Sequence, residues 1–386
     1  MQIVFNQNPK KQLDSCVSAE KVKDVHRFHE GFSGYEPTPL VCLSALAEKL
    51  GVSFFAVKDE SKRFGLNAFK ALGGSYAIAK IVCEKLGITL DENTFSKLRS
   101  GIYDDKLKGM TFITATDGNH GRGVAWTAKM LGCRAVVYLP EGSADERFQN
   151  ILALGADAEI TKLNYDDTVR YAAEIADKNS WVLVQDTSWD GYEEIPAAIM
   201  QGYTTLAYEL CYQLEEKPTH LFLQAGVGSM AGAIAGYFAS VWKDECPKIV
   251  IVEPDKADCI FRTAKANDGK LHTVTGRMDS MMAGLCCGEP CTIGWDILKN
   301  TADAFVSCGD TVSALGMRTL GKPFGNDEKI VSGESGAVTA GVAVMLLTEP
   351  ELGEYKNALD LNENSRILVI STEGDTDREN YIKILA

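Results

Sequence analysis

One lysine stands alone among small and apolar residues in the segment Gly-Leu-Asn-Ala-Phe-Lys-Ala-Leu-Gly-Gly-Ser, residues 65–75. A strand-like run at 54–57 precedes it, and apolar residues recur at helical spacing over 72–86. We therefore expect Lys70 to begin a helix whose apolar face is buried. A buried ammonium is costly unless it is paired, neutralised or used covalently. The alternative is a lysine whose amino group reaches water, which is the commoner fate of such residues.

Three loops further along the chain have the composition of ligand-binding loops. They read Ala-Thr-Asp-Gly-Asn-His-Gly at 115–121, Ala-Gly-Val-Gly-Ser-Met-Ala-Gly at 225–232 and Ser-Thr-Glu-Gly-Asp-Thr-Asp at 371–377. Each follows an apolar, strand-like run. Parallel α/β sheets bind ligands at the carboxyl ends of their strands. We therefore expect the three loops and Lys70 to surround one site.

The elements that must position these loops alternate between short apolar strands and helices. The pattern predicts strands at 54–57, 111–115, 135–139, 181–185, 220–224, 249–252 and 367–370. Helical patterns lie between many of them, at 123–131, 147–154, 168–178, 200–214 and 231–242. This order predicts an α/β fold of two domains, each an open, mostly parallel, twisted sheet with helices on both faces.

The domain borders are not marked by linkers, and the pattern fits one domain inserted into another. We expect a large domain formed by residues 1–75 plus 192–386 and a small α/β domain formed by residues 76–191, which carries the Thr-Asp-Gly-Asn-His loop. The stretch 90–108 is polar and irregular, which predicts an exposed insertion.

Composition excludes several classes of protein. The chain has 386 residues and a net charge of -14, which argues against a nucleic-acid or anionic-membrane surface. We expect no membrane span and no signal peptide. The 11 cysteines are scattered without a Cys-x-x-Cys pair, which is typical of a reduced, cytoplasmic protein. We expect no metal site, because a solvated helix face explains His26, His29 and Glu30 better than metal binding.

The loop at 226–232 suits a phosphate, since glycines expose backbone N–H groups at the start of a helix. Gly226, Gly228 and Ala231 also nearly match the dinucleotide fingerprint, and Glu253 could then bind a ribose. An NAD-dependent oxidoreductase is therefore an alternative, and a tight turn without any ligand is another. The late position of the loop in the chain disfavours the dinucleotide interpretation.

Taken together, the motifs resemble the fold type II pyridoxal-phosphate enzymes, which include serine and threonine dehydratases, cysteine synthase and tryptophan synthase β. The resemblance runs from about residue 35 to the C-terminus, and it is strongest to the members that release ammonia from 2,3-diaminopropionate. The quoted motifs carry it, together with Val-Gln-Asp-Thr at 184–187. It implies pyridoxal 5'-phosphate as cofactor, bound by the large domain, and an amino acid as substrate.

The resemblance also implies a role for each motif. Lys70 would hold the cofactor covalently and then act as a base, and an apolar wall would lower its pKa. The cofactor phosphate would lie on Gly226, Val227, Gly228, Ser229 and Met230. Asn119 would contact the 3-oxygen of the cofactor. Ser371, with Thr372 as the adjacent alternative, would meet the pyridine nitrogen. Thr116, Asp117 and His120 would receive the substrate.

Asp117 distinguishes this chain from the dehydratases and synthases, which carry a small residue before Gly-Asn-His. Its alternative role is a helix N-cap. As a carboxylate near the reacting carbon it could pair with a second amino group, or act as a base on the face opposite Lys70. The resemblance then implies elimination from both D- and L-diaminopropionate, which gives pyruvate and two ammonia. Asp186 could assist catalysis or merely cap the following loop.

Other functions remain open from sequence alone. They are a serine or threonine dehydratase, a β-replacement enzyme, the NAD-dependent oxidoreductase and a non-catalytic binding protein. The substrates of the first two enzymes carry no second amino group that could pair with Asp117. The intact Lys70 argues against a non-catalytic binding protein. By analogy with the fold type, we expect a homodimer.

Overall fold

The computed structural model describes residues 1–7, 9–11 and 13–386. Its strands form two sheets. In chain order they are β1 (Gln2–Phe5), β2 (Leu40–Cys42), β3 (Phe54–Asp59), β4 (Thr111–Ala115), β5 (Arg134–Leu139), β6 (Asp157–Ile160), β7 (Val182–Leu183), β8 (His220–Gln224), β9 (Lys248–Pro254), β10 (Ala304–Cys308) and β11 (Arg366–Ser371).

Helices connect most of these strands. They are α1 (Ala19–Val22), α2 (Val25–Glu30), α3 (Ser44–Leu50), α4 (Ala71–Leu86), α5 (Thr94–Leu98), α6 (Asp104–Lys108), α7 (Asn119–Leu131), α8 (Asp145–Leu152), α9 (Tyr165–Asn179), α10 (Glu194–Gln213), α11 (Ser229–Trp242), α12 (Cys259–Ala266), α13 (Thr292–Thr301), α14 (Asp310–Gly321), α15 (Glu334–Thr348), α16 (Gly353–Ala358) and α17 (Arg378–Leu385). Short 3-10 turns occupy Glu60–Gly65, Lys243–Glu245, Ala283–Leu285 and Pro350–Leu352.

The larger sheet has seven strands in the order β1-β10-β9-β8-β11-β3-β2. Its five central strands are parallel, and the edge strands β1 and β2 run antiparallel to their neighbours. Both faces are covered. Leu221 and Leu223 of β8 belong to one hydrophobic core, whereas Phe222 between them belongs to a second core on the opposite face. Burial on both faces explains why these strands read as continuous apolar runs.

The smaller sheet is fully parallel, in the order β6-β5-β4-β7. Its buried residues join the same core as Leu221, so the two sheets share one continuous apolar interior. All of its strands lie between residues 111 and 183, and the strands of the larger sheet lie on either side in the sequence. This arrangement is compatible with an inserted domain, and the borders near 76 and 192 stay a prediction.

The predicted α/β fold is confirmed, and all seven predicted strands occur. Residues 90–108 are not wholly irregular as predicted, since α5 and α6 form there around the buried Phe95, Leu98 and Leu107. His29 is buried rather than solvated as we expected. Its ring contacts Thr205 Oγ1 at 2.7 Å and the carbonyl of Leu72 at 3.0 Å. Across the described ranges, no helix has the length and apolar character needed to cross a bilayer.

Helix α4 is held where the two sheets meet, because it packs against α7 on one side and α10 on the other. The approach to α10 is very close at Gly202. A Cβ atom placed there would lie 2.4 Å from the carbonyl oxygen of Leu72 and 2.8 Å from the Cα of Gly73. Only glycine fits without moving a backbone. This contact fixes the first turn of α4, next to Lys70.

We expect Gly202→Ala to destabilise the fold by about 1–3 kcal/mol, because the added methyl group must push α4 away from α10. Chemical denaturation at equilibrium measures the loss. The matched control is Gly353→Ala, at a helical glycine with no atom of the described chain near its Cβ position. It should be neutral or slightly stabilising. Equal stability of Gly202→Ala and the parent protein would contradict the close-packing argument.

Candidate active site

A cavity opens at the carboxyl ends of β8 and β11, beside the start of α4. The wall combines apolar surface with a few polar groups. It is lined by Phe69, Lys70, Asn119, Tyr165, Asp186, Tyr203, Gln224, Ala225, Gly226, Val227, Gly228, Ser229, Met230, Ala231, Gly284, Leu285, Cys287, Ser335, Thr372 and Glu373.

Lys70 is the N-cap residue of α4, and its side chain is 17% exposed. The preceding residue anchors it to the last strand, since the Phe69 N–H donates to the Thr372 carbonyl at 3.2 Å. The Lys70 Nζ donates to Asp186 Oδ2 at 2.5 Å. Burial is the largest single effect and would lower the pKa of Lys70, but the charges of Asp186, Tyr203 and Asp117 and the hydrogen bond to Asp186 together outweigh it, and the pKa is raised. The expected lowering is therefore wrong for this state of the lysine.

Asp186 follows β7 and is nearly fully buried. Its Oδ1 accepts from Gln185 Nε2 at 3.3 Å and from the Tyr165 hydroxyl at 3.4 Å. Burial favours the neutral acid, yet His120 and Lys70 lower the pKa of Asp186 to about 2. The carboxylate is therefore charged and directed at Lys70, whereas the carbonyl of Asp186 accepts from Ser229 Oγ at 2.6 Å. One residue thus joins the lysine to the glycine-rich loop.

That glycine-rich loop connects β8 to α11. Gly228 is the N-cap residue of α11 and has a φ of 95°, a conformation that glycine adopts readily. Within the described chain, no side chain caps this helix. The first N–H groups of a helix have no partner inside the helix, so those of α11 are open to an anion in the cavity. Gly226 to Met230 all line it, as predicted.

The dinucleotide interpretation is not supported by Glu253. Its carboxylate is buried and accepts the backbone N–H groups of Ile260 at 2.9 Å and Phe261 at 2.6 Å. Glu253 thus caps the start of α12, and its oxygens are engaged by backbone rather than facing a ribose. The NAD-dependent alternative was therefore wrong about Glu253, the residue that it needed to bind a ribose.

The Thr-Asp-Gly-Asn-His loop contributes one residue to the cavity wall, Asn119. Its Nδ2 donates to Glu373 Oε2 at 2.5 Å. Thr116 has a local role, because its Oγ1 accepts the N–H groups of Gly118 and Gly121, each at 2.9 Å. His120 is buried with Nε2 2.7 Å from the Val184 carbonyl and Nδ1 3.9 Å from Asp186 Oδ2.

Asp117 is not the N-cap of α7, since Gly118 holds that position. It lies just behind the cavity wall, where its Oδ2 is 3.1 Å from the Cβ position of Gly284. Burial raises the pKa of Asp117, and the charges of Lys70 and Arg147 only partly offset that effect. Asp117 is therefore a carboxyl whose ionisation depends on its neighbours.

At the end of β11, the structure favours the alternative over the first choice. Ser371 is not part of the cavity wall, and its Oγ donates to Ser332 Oγ at 2.7 Å. Thr372 lines the cavity, and its hydroxyl accepts from Gln224 Nε2 at 3.0 Å. Successive residues of an extended segment point to opposite sides, which explains why only one of these two neighbours lines the cavity.

Several lining residues were missed by sequence reasoning. Tyr203 and Tyr165 come from α10 and α9, and only tertiary packing brings them to the cavity. Glu373 stands inside the Ser-Thr-Glu-Gly motif and could have been identified from it. Glu334 is the first residue of α15 and does not line the cavity.

The cavity suits pyridoxal 5'-phosphate. It holds a lysine for the aldehyde and an open helix start for the phosphate. Two polar atoms of its lining residues, the Tyr203 hydroxyl and Gln224 Oε1, are buried without a partner among the described residues. Unpaired buried polar atoms in a cavity wall indicate a polar ligand. This fold and site define the fold type II class of pyridoxal-phosphate enzymes.

Comparison with known proteins agrees with this class. The family model described as pyridoxal-phosphate dependent enzyme matches residues 32–373. Diaminopropionate ammonia-lyase of Escherichia coli K12 is 51% identical over 371 residues, which is 95% of this chain and 92% of that protein. The chain belongs to the pyridoxal-phosphate-dependent enzyme family and, within it, to the diaminopropionate ammonia-lyases.

Solved structures give the same result. The holo diaminopropionate ammonia lyase of Escherichia coli superposes with a TM-score of 0.93 at 48% identity, covering 100% of this chain and 96% of that chain. A second structure of that enzyme, in complex with an aminoacrylate-PLP azomethine reaction intermediate, gives a TM-score of 0.91 at 48% identity with the same coverage. The chain is therefore a pyridoxal-phosphate-dependent carbon–nitrogen lyase.

We expect Asp186→Asn to lower the pKa of Lys70, because the opposing charge is lost and burial then dominates. The pH midpoint for covalent capture of added pyridoxal phosphate by the apoenzyme should fall by about one to three pH units. Stopped-flow absorbance at a series of pH values measures it. The control Asp190→Asn, at an exposed aspartate of the same loop, should leave the midpoint in place. An unchanged midpoint in Asp186→Asn would show that another group sets the charge of Lys70.

Proposed function

We propose that this protein removes ammonia from 2,3-diaminopropionate of either configuration. One water is consumed, and pyruvate and two ammonia are formed. The observation that carries the proposal is the pair of buried carboxyl groups, Asp186 and Asp117, whose charges both act on one cavity lysine. Asp117 also has Arg147 beside it, whereas Asp186 would lose the ammonium of Lys70 when the substrate displaces that lysine, and a second amino group on the substrate would replace it. The substrate in the names of the closely similar relatives supports the same choice.

The groups that would hold the cofactor are those that line the cavity. Lys70 would form the covalent link, the N–H groups from Gly226 to Met230 would bind the phosphate, and Asn119 would contact the 3-oxygen. Thr372, in preference to Ser371, would meet the pyridine nitrogen. When bound, pyridoxal phosphate supplies an electron sink for charge that develops at the substrate α-carbon. A neutral hydroxyl on the pyridine nitrogen weakens that sink and favours prompt loss of the β-substituent.

Two groups of the chain would take the α-proton, one for each configuration. Lys70 becomes free to act as a base once the substrate amine has displaced it. Asp117 lies behind Gly284, and its raised pKa makes the ionised carboxylate a stronger base than that of an ordinary aspartate. Thr116 keeps the Asp117 loop in shape through its hydrogen bonds to Gly118 and Gly121.

Asp186 would serve the ammonium groups. In the described structure it pairs with the ammonium of Lys70, so it is placed to receive the β-ammonium of the substrate when that lysine is displaced. His120 and Tyr165 stand beside it and could pass a proton to the departing amine.

The setting of the protein is also proposed. All eleven cysteines are free thiols, which agrees with a reducing cytoplasm. A homodimer follows by analogy with the fold type. Light scattering coupled to gel filtration tests it, and a mass equal to one chain would reject it.

We expect the holoenzyme to release pyruvate from both D- and L-diaminopropionate, and Asp117→Asn to lose the D-isomer selectively. Removal of a general base typically costs about 10²–10⁴-fold in rate, so kcat/KM for the D-isomer should fall within that range while most L-isomer activity remains. A coupled pyruvate assay measures both. Asp145→Asn, at an exposed aspartate of the same domain, is the control and should retain both activities.

Two results would count against the proposal. Faster turnover of D- or L-serine than of diaminopropionate would make the protein a dehydratase. Equal loss for both isomers in Asp117→Asn would reject the assignment of separate bases while leaving the substrate intact.

A further inference from the structure

Arg147 has no assigned role, yet it lies at the centre of the polar groups behind the cavity. It lies in α8, between strands β5 and β6 of the smaller sheet in the chain, and is only 5% exposed. One end of its guanidinium faces the substrate loop, where Nη1 is 3.4 Å from Asp117 Oδ2 and 3.5 Å from the Asp117 carbonyl. Its Nη2 donates to Thr376 Oγ1 at 3.1 Å, beyond the end of β11. The side chain therefore bridges the two sheets.

The loop is shaped around this arginine. Gly118 has a φ of 144°, and a Cβ placed there would lie 2.9 Å from Cδ of Arg147. The aliphatic part of the side chain therefore packs on the glycine that follows Asp117. An aspartate without that packing would be free to change its direction.

Arg147 is also connected to Asn119, in the same loop as Asp117, through Thr376 and Glu373. Thr376 Oγ1 donates to Glu373 Oε2 at 3.0 Å, and Nη2 of Arg147 is 3.9 Å from the same oxygen. Glu373 in turn accepts from Asn119 at 2.5 Å. Arg147 thus holds both a candidate base and, through Glu373, a candidate cofactor contact.

The charges around Asp117 show why a cation is needed there. Two cations and two anions act on it, namely Lys70, Arg147, Glu373 and Asp186. Other titratable groups near it are His120, Tyr165, Tyr203, Cys286 and Cys287. Lys70 is engaged by Asp186, and in catalysis it must exchange protons. Arg147 stays charged throughout, because a guanidinium does not lose its proton in proteins.

We propose that Arg147 is the positioning residue that keeps Asp117 ionised and fixed behind the cavity wall, and that it thereby determines whether the enzyme can use the D-isomer. The inference rests on the proposed function. It goes beyond that function by assigning the charge state of one base to a residue that does not line the cavity. Burial opposes ionisation of Asp117, and Arg147 is the permanent charge that counters it.

The test compares Arg147→Lys, which keeps the charge, with Arg147→Gln and Arg147→Met, which remove it. The pH dependence of kcat/KM is measured for D- and L-diaminopropionate with the holoenzyme. The isomers are enantiomers with identical pKa values in solution, so any difference between their profiles comes from the enzyme. Loss of an adjacent cation raises a carboxyl pKa by about one to three pH units. The acidic limb of the D-isomer profile should move upward by that amount in the Gln and Met variants.

The L-isomer limb should stay in place, and Arg147→Lys should keep the D-isomer limb near that of the parent. A readout independent of activity is the infrared carbonyl band of protonated Asp117, identified as the band that is absent in Asp117→Asn. It should persist to higher pH in the neutral variants. Arg134→Met is the matched control, since it removes an exposed arginine of β5 that pairs with Asp157, and it should move neither limb.

Coincident D-isomer limbs in the parent, Gln and Met variants would overturn the proposal, as would equal shifts for both isomers. If Arg147→Met fails to fold, the Gln variant decides alone, and an infrared band unchanged in Arg147→Gln would also overturn it. Failure of the parent protein to release pyruvate from either isomer would instead reject the proposed function. The two failures are therefore distinguishable.

Discussion

The buried ion pair between Lys70 and Asp186 is the contact on which the rest of the site depends. The lysine begins α4, and the aspartate follows the strand β7 of the smaller sheet. A buried pair is stable only when its geometry is good and its remaining oxygens are hydrogen-bonded. Here Gln185 and Tyr165 supply those hydrogen bonds, and Ser229 holds the backbone of Asp186. The two sheets must therefore keep a fixed relation for the lysine to remain charged and in place.

A second set of buried charges follows from the first. Lys70 is committed to Asp186, so Asp117 needs another cation, and Arg147 provides it from helix α8. Arg147 then requires partners at its far end, which Thr376 and Glu373 supply from the loop that follows β11 of the larger sheet. Each of these buried charged groups thus needs a partner, and the partner comes from a segment next to the other sheet. This explains why the carboxyl groups concentrate at the junction of the two sheets rather than at one loop.

Sequence reasoning recovered the parts of the fold that local pattern determines. The strands that it identified are apolar and mostly buried, as in His220–Gln224. It missed Asp157–Ile160, an edge strand that is mainly exposed and carries two charged residues, and Gln2–Phe5 and Leu40–Cys42, which are short antiparallel edges. It also missed Ala304–Cys308, although that strand is fully buried. Edge strands obtain their pairing from a neighbour, which a single sequence does not display.

The sequence motifs predicted which residues line the site, but they did not predict which charged side chains pair with one another. Lys70, Asn119 and the residues from Gly226 to Met230 line one cavity because each motif places them at the end of a strand or the start of a helix. The predicted lowering of the Lys70 pKa was wrong, because that pKa depends on an aspartate 116 residues away in the sequence. Arg147 carried no signal, because nothing in its own helix marks it as buried. The sequence motif thus selects the groups that can react, and long-range electrostatics decide the protonation state in which they do so.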